Sequence, residues 1–249
     1  MELTDSEQRI LELLAQQNAI SVSRASESLG VSSVTTRRIF SILEAKGLIV
    51  RKRGGATLAF HPEITLRQRL QTEEKNRIAE RAAALVSSND SIMINATTTG
   101  ALIMRYLRGK ENVNIITNST LLVPYAKANP SLNVILLGGL LHPHTEAIVG
   151  SMAMRELDGY FARYAFLGTA GFSVESGITA HMYDESEVPR RMVERSEKFV
   201  LVADSSKWNK CSLIKMMELR QASIIVTDTG LPAEAQEKIR DLGVELILV

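Results

Sequence analysis

Apolar positions in the first fifty residues recur at helical spacing. Ile10, Leu13 and Leu14 stand at i, i+3 and i+4, which predicts an amphipathic helix over residues 6–16. Val22, Ala25 and Leu29 predict a second helix from Val22 to Leu29, with Ser21 as its N-cap. Gly30-Val31 then makes a short turn, because glycine takes positive φ just past a helix end. A third helix is expected from about Ser33 to Lys46, capped by Ser32 and stopped by Gly47. Beyond it the pattern changes to short strands. Leu48-Ile49-Val50 and Ala56-Thr57-Leu58 flank Arg51-Lys52-Arg53-Gly54-Gly55, a hairpin tip. Helix, helix, tight turn, helix and basic hairpin predict a winged helix-turn-helix over residues 1–59.

Residues 60–72 are polar and contain Pro62, so a linker is expected there. A helix returns from Glu73 to Val86, with Ile78, Ala79, Ala82 and Leu85 on one stripe. Seven β-rich runs follow, alternating with helical patterns. They are Ile92–Ile94, Val113–Ile116, Val134–Leu137, Ala165–Leu167, Phe199–Val202, Ile224–Val226 and Leu246–Val249. Such alternation predicts a mostly parallel α/β sheet with helices on its faces, in a second domain over residues 73–249.

Each run ends in small or polar residues: Asn95-Ala96-Thr97-Thr98-Thr99-Gly100, Thr117-Asn118-Ser119, Gly138-Gly139, Gly168-Thr169-Ala170-Gly171, Ala203-Asp204-Ser205-Ser206-Lys207 and Thr227-Asp228. Open α/β sheets bind ligands outside the carboxyl ends of their strands, so parallel strands would gather these groups at one edge. Hydroxyls, the free N–H groups of a helix start and a lysine suit an anion such as phosphate. The pairing of Thr97, Thr98 and Thr99 with Lys207 supplies both hydrogen-bond donors and a full positive charge. Asn118, Gly138, Gly139 and Asp204 are expected beside them.

The net charge of +1 says little, but its distribution says more. From Arg37 to Arg53 there are six basic residues against one acid, Glu44. A local basic stretch in a nearly neutral chain is what a phosphate-contacting element requires. In a helix-turn-helix the second helix of the motif enters the major groove by its start. Here that helix carries its polar residues first, Ser32 to Arg38, and its apolar ones later, so its start can enter DNA while its end seals a core. Ser32, Ser33, Thr35, Thr36, Arg37 and Arg38 are expected on the groove, and Arg51, Lys52 and Arg53 on backbone or minor groove. The single cysteine, Cys211, permits no intramolecular disulfide. With no secretory signal and no run of about 18 apolar residues, a reducing, cytoplasmic location is expected. No GxSxG, Walker, HExxH or GxGxxG motif supports an enzyme class, and no cofactor is called for. His142-Pro143-His144 lacks a completing ligand at close spacing, so a solvated loop is expected rather than a metal site. Trp208, beside Lys207, packs over either the pocket or the core.

These residues carry a resemblance. Val31-Ser32-Ser33-Val34-Thr35-Thr36-Arg37-Arg38, then Leu43-Glu44, Gly47, Arg51 and Gly54-Gly55-Ala56, resemble the DNA-binding domain of the DeoR family of sugar-metabolism regulators. Thr117-Asn118-Ser119, Leu137-Gly138-Gly139, Val149-Gly150, Phe166-Leu167-Gly168, Gly177-Ile178-Thr179, Glu185, Asp204-Ser205-Ser206-Lys207 and Thr227-Asp228 extend it along nearly the whole chain. The resemblance implies a sensor domain similar in fold to ribose-5-phosphate isomerase and the CoA-transferases, and a sugar-phosphate effector. Glu185 or Asp204 would accept hydrogen bonds from its hydroxyls. The chain departs from the family pattern in places. Ile39-Phe40 replaces Asp-Leu after the arginine pair, and Asn95 and Thr97 replace the Asp and Gly of the phosphate loop. Arg163 stands where Asp is frequent, and His142 where Arg is. These departures put the usual effector in question.

The function expected is therefore a transcriptional repressor, a dimer or larger, whose operator affinity is set by a phosphorylated sugar or related metabolite. The alternative is a sugar-phosphate isomerase-like enzyme with an accessory DNA-binding module. It needs a positioned general base, for which Glu185 and Asp204 are available, although Asn95 occupies an expected acid position.

Overall fold

The computed structural model describes residues 3–17, 19–58, 64–143 and 145–249. Two compact units make up the chain, Met1–Thr72 and Glu73–Val249. The first contains α1 (Asp5–Gln17), β1 (Ala19–Ser21), α2 (Val22–Leu29), α3 (Ser33–Ala45), β2 (Ile49–Lys52), β3 (Gly55–Leu58) and α4 (Ile64–Arg69). The Ser21 and Ser32 side chains cap α2 and α3 by accepting from Arg24 N and Thr35 N, and Gly30 closes α2 in the left-handed conformation. Such caps satisfy N–H groups that the helix itself leaves unpaired. Part of the expected linker is thus helical, and Leu70 joins the buried cluster of Ile10, Leu11, Leu14, Ile20, Ala25, Phe40 and Leu43.

The wing is a three-stranded antiparallel sheet in the order β1-β3-β2. Its third strand, β1, pairs Ile20 with Ala56 and Ser21 with Gly55. Gly55 is required by this close approach, since a Cβ there would lie 2.3 Å from the Ile20 carbonyl oxygen. One ion pair ties the motif together. Lys46 Nζ, just past α3, donates to Glu7 Oε1 at 2.8 Å, and Glu7 also accepts from Thr4 N at 2.8 Å. Burial pushes the Glu7 carboxyl up, but the hydrogen bonds from Lys46 and Thr4 outweigh it and hold the group below its ordinary range.

The second unit is built on a seven-stranded sheet, β4 (Ser91–Ile94), β5 (Val113–Thr117), β6 (Leu132–Leu136), β9 (Ala162–Leu167), β12 (Ser196–Val202), β14 (Ile224–Thr227) and β15 (Glu245–Leu248). Every pairing in it is parallel, in the order β15-β14-β12-β9-β4-β5-β6. These are the seven runs read from the sequence. Residues alternate between two buried layers: Ile92 and Ile94 face one cluster, Met93 the other. Helices α5 (Thr72–Ala83) and α6 (Thr98–Tyr106) cover the first layer, with α7 (Val123–Ala128) against its rim. Helices α8 (Ser151–Leu157), α9 (Asp184–Glu194) and α10 (Ala233–Asp241) cover the second. A sheet covered on both faces needs apolar residues on both, which is why its strands read as continuous hydrophobic runs. The hairpin β7 (Leu140–His142) and β8 (Ala147–Val149) stands apart, as does the antiparallel sheet β10 (Gly171–Ser173), β11 (Gly177–Ala180) and β13 (Ile214–Met217). His142 therefore ends a strand instead of sitting in a loop, while His144 lies outside the described residues.

Candidate functional site

Two surfaces carry chemistry, one in each unit. In the first, Thr36, Phe40 and Leu43 are the buried residues of α3, at i, i+4 and i+7. Val34, Arg38 and Ser41 follow the same spacing on the opposite face, and Ser32, Ser33, Thr35, Arg37 and Arg38 are all exposed. Thr36 differs from them. Its hydroxyl donates to the Ser32 carbonyl at 3.2 Å and lies 2.9 Å from Ser26 Oγ, so it fixes α2 against α3 and does not reach outward. Ile39 packs against the core cluster. On the wing, Arg51, Lys52 and Arg53 are exposed. Arg51 Nη1 donates to Ser41 Oγ at 3.0 Å, and its backbone N–H donates to Glu44 Oε1 at 3.2 Å. These contacts join wing and helix into one basic face.

In the second unit the sheet changes direction beside β4: β5 and β6 run off one way, β9 and β12 the other. Crevices at such points, at the carboxyl ends, are where open α/β sheets bind ligands. Thr97 caps α6, its Oγ1 accepting from Gly100 N at 3.1 Å, which leaves the N–H groups of Thr98 and Thr99 without an intrahelical acceptor. Thr98 is half-buried and Thr99 buried. Gly168, at the end of β9, admits the Thr97 side chain, which a Cβ there would meet at 2.8 Å.

Asn95 and Asn118 are buried and spent on the framework. Asn95 Oδ1 accepts from Gly168 N at 3.0 Å and from Thr97 Oγ1 at 3.3 Å, and its Nδ2 donates to Gly168 O at 3.4 Å. This amide ties the end of β4 to the end of β9. Asn118 accepts from Ala96 N at 3.0 Å and donates to Ile148 O at 2.9 Å. Gly138 N donates to Glu156 Oε2 at 2.8 Å. Gly139 has a φ of 148° and would set a Cβ 2.6 Å from Val149 O, so it serves the β7–β8 hairpin.

After β12, Asp204 is buried and accepts from Ser206 Oγ, while Lys207 is half-buried. A residue that the sequence reading passed over, Lys210, stands with them. Burial lowers its ammonium to about 8, with Lys207 pushing the same way and Asp204 opposing. Lys210 follows Asn209, which has a positive φ of 54°. That turn brings it back beside Lys207, and the bare spacing gives no sign of it. Gly171 admits this turn, since a Cβ there would lie 2.2 Å from Lys210 O. Trp208 packs edge-on to Phe172, with ring centroids 5.4 Å apart, and so covers core. Asp228 accepts from Ser205 N, Ser205 Oγ and Gly230 N and staples the end of β14 to that of β12.

Glu185 sits in the first turn of α9. One residue separates α9 from β12, so the start of α9 lies toward the edge where β12 ends. Its Oε1 is buried with no donor among the described residues, an expense of about 1–3 kcal/mol unless a partner arrives. Arg163 lies at the amino end of β9, where it pairs with Asp90 at 3.0 Å. It is therefore at the opposite end of the sheet from the candidate site and has no direct part in choosing a ligand there. Among the described residues no group of three or more His, Cys, Asp or Glu could hold a metal ion. No described helix is long and apolar enough to cross a membrane.

Comparison with known proteins agrees with this division of labour. Residues 7–60 match the DeoR-like helix-turn-helix domain, and residues 70–229 match the DeoR C terminal sensor domain. The chain is 33% identical to the HTH-type transcriptional regulator GlpR of Haloferax volcanii, over 98% of this chain and 96% of that protein. It is also 33% identical to the HTH-type transcriptional repressor GlcR of Bacillus subtilis, over 96% of this chain and 93% of the other. With the glycerol-3-phosphate regulon repressor of Escherichia coli it shares 27% identity over 100% of both chains. Among solved structures, ribose 5-phosphate isomerase A of Neisseria gonorrhoeae aligns at a TM-score of 0.41 and 22% identity, over 55% of this chain and 54% of that one.

Proposed function

The chain belongs to the DeoR family of transcriptional regulators, and from that premise we propose that it is a cytoplasmic repressor released from its operator by a phosphorylated sugar. In this reading residues 1–59 bind DNA, 60–72 connect, and 73–249 sense the effector and assemble the oligomer. The observation that carries it is the outward face of α3, joined to the wing through Arg51 and Ser41. Ser33, Thr35, Arg37 and Arg38 meet base edges and flanking phosphates, Ser32 and Thr36 hold the helix in shape, and Arg51, Lys52 and Arg53 neutralise phosphates. Arg37→Ala is expected to weaken specific operator binding by about 1–3 kcal/mol, and Arg51→Ala to weaken all sequences about equally and lower the salt slope. Unchanged operator binding by both variants in a gel-shift titration removes this assignment.

At the sensor edge, the phosphate sits on the Thr98 and Thr99 N–H groups and hydroxyls with Lys207 as point charge. Glu185 accepts from a sugar hydroxyl, which gives its orphan oxygen a donor. Asn95, Asn118, Gly138, Gly139 and Asp204 shape that edge from behind. Regulation is favoured over isomerisation because the relatives matched along their whole length are named as regulators.

A further inference from the structure

Val34 is a large apolar side chain left 71% exposed in the first turn of α3. Nothing in the helix asks for it. A β-branched residue has lower helix propensity than alanine, and among the described residues this one packs on no core cluster of its unit. It lies opposite the buried Thr36, Phe40 and Leu43, at the middle of the outward face, with exposed Ser33 and Thr35 beside it and Arg37 and Arg38 one turn on. Its neighbours on that face donate or accept hydrogen bonds; Val34 does neither.

In the major groove the apolar group that a base pair presents is the C5-methyl of thymine. The first turn of the second helix is the part of this motif that meets base edges. We propose that Val34 reads a thymine by packing on its methyl group, making it a specificity-determining residue of the operator contact. This rests on the DNA reading of α3 given above. The basic groups around it hold the duplex against the helix and carry no preference for this base; Val34 supplies one by exclusion of water from two apolar surfaces.

The test uses the full chain and an operator selected from a random duplex pool. Each thymine of a half-site is replaced in turn by deoxyuridine, which keeps the hydrogen-bonding edge and removes the methyl. One position is expected to weaken the wild-type protein by about fourfold, the effect of leaving one methyl group in water. Val34→Ser, with unaltered thermal unfolding, is expected to bind the thymine and deoxyuridine duplexes equally. The proposal is overturned if no replacement affects the wild type, if Val34→Ser keeps the same sensitivity at that position, or if Val34→Ser weakens selected and unrelated duplexes alike. Failure of the pool to yield any preferred sequence overturns the DNA reading itself, and this inference with it.

Discussion

Lys207 and Lys210 bring two positive charges to one turn after β12, beside the Asp204 carboxylate, and burial together with Lys207 lowers the Lys210 ammonium to about 8. Lys207→Ala is expected to leave operator binding intact and to weaken effector binding by about 1.5–3 kcal/mol, as loss of a charged partner does. Calorimetric titration with sugar phosphates that stabilise the wild type measures it, and equal affinity in the variant contradicts the assignment. A pH dependence follows from Lys210. With its folded value lowered to about 8, it loses its proton as pH rises through 8, so anion affinity is expected to fall there. Lys210→Ala should flatten that profile. The same depression makes folding stability rise between about 8 and the ordinary 10.5, because there the unfolded chain binds more protons. Asn95 and Asn118 show what a sequence withholds at this scale. A polar residue at a strand end marks the edge, but whether its amide faces a ligand or the neighbouring loop depends on contacts 73 and 30 residues away along the chain. Thr36, expected on the groove, is buried instead: it shares the i, i+4, i+7 stripe with Phe40 and Leu43, a spacing that outweighs its polar side chain.

Among elements, those that announced themselves had length and period. The second helix runs from Val22 to Leu29 as its caps and apolar spacing predict, and all seven sheet strands coincide with apolar runs. The strand β1 did not, because three residues carry no period; only the absence of a Cβ at Gly55 lets it pair. The β7–β8 hairpin and β10 were missed for the same reason of length, while β11 (Gly-Ile-Thr-Ala) and β13 (Ile-Lys-Met-Met), at four residues, lack the continuous apolar run that marks the sheet strands. The contact between α1 and α3 was also hidden, since its partners Glu7 and Lys46 stand 39 residues apart. That pair makes its own prediction. Glu7→Gln leaves the half-buried Lys46 without its counter-charge and is expected to destabilise the first unit by about 1.5–3 kcal/mol. Because the folded Glu7 group titrates below its ordinary value, its contribution is full above the unfolded value near 4.5 and is lost as pH falls through the folded one. Urea unfolding of both proteins at pH 7 and near pH 3 checks this: the gap should narrow in acid, and a constant gap argues against the pair.

At the scale of the whole molecule, a helix-turn-helix reads two half-sites about 10 base pairs or a multiple apart, which a second copy of the chain must supply. Sedimentation at micromolar concentration is expected to show a dimer or larger species, and a monomer of full operator affinity contradicts the expectation. The division into a DNA-binding unit and a sensing unit was legible from the change of period after the wing and from the basic stretch confined to one side of it. The identity of the effector was not, because the departures at Asn95 and Thr97 leave the helix start proposed to hold the phosphate intact while altering what surrounds it. The central claim is that ligand binding at one unit lowers DNA affinity at the other, which requires the effector to favour a conformation that fits the operator less well. Its most direct test is operator affinity of the full chain, measured by fluorescence anisotropy with and without the sugar phosphate that stabilises the protein in a thermal-shift panel. At saturating ligand the account predicts operator binding at least about tenfold weaker, a coupling of about 1.4 kcal/mol; identical affinity in the two titrations, with the ligand shown to be bound, would contradict it.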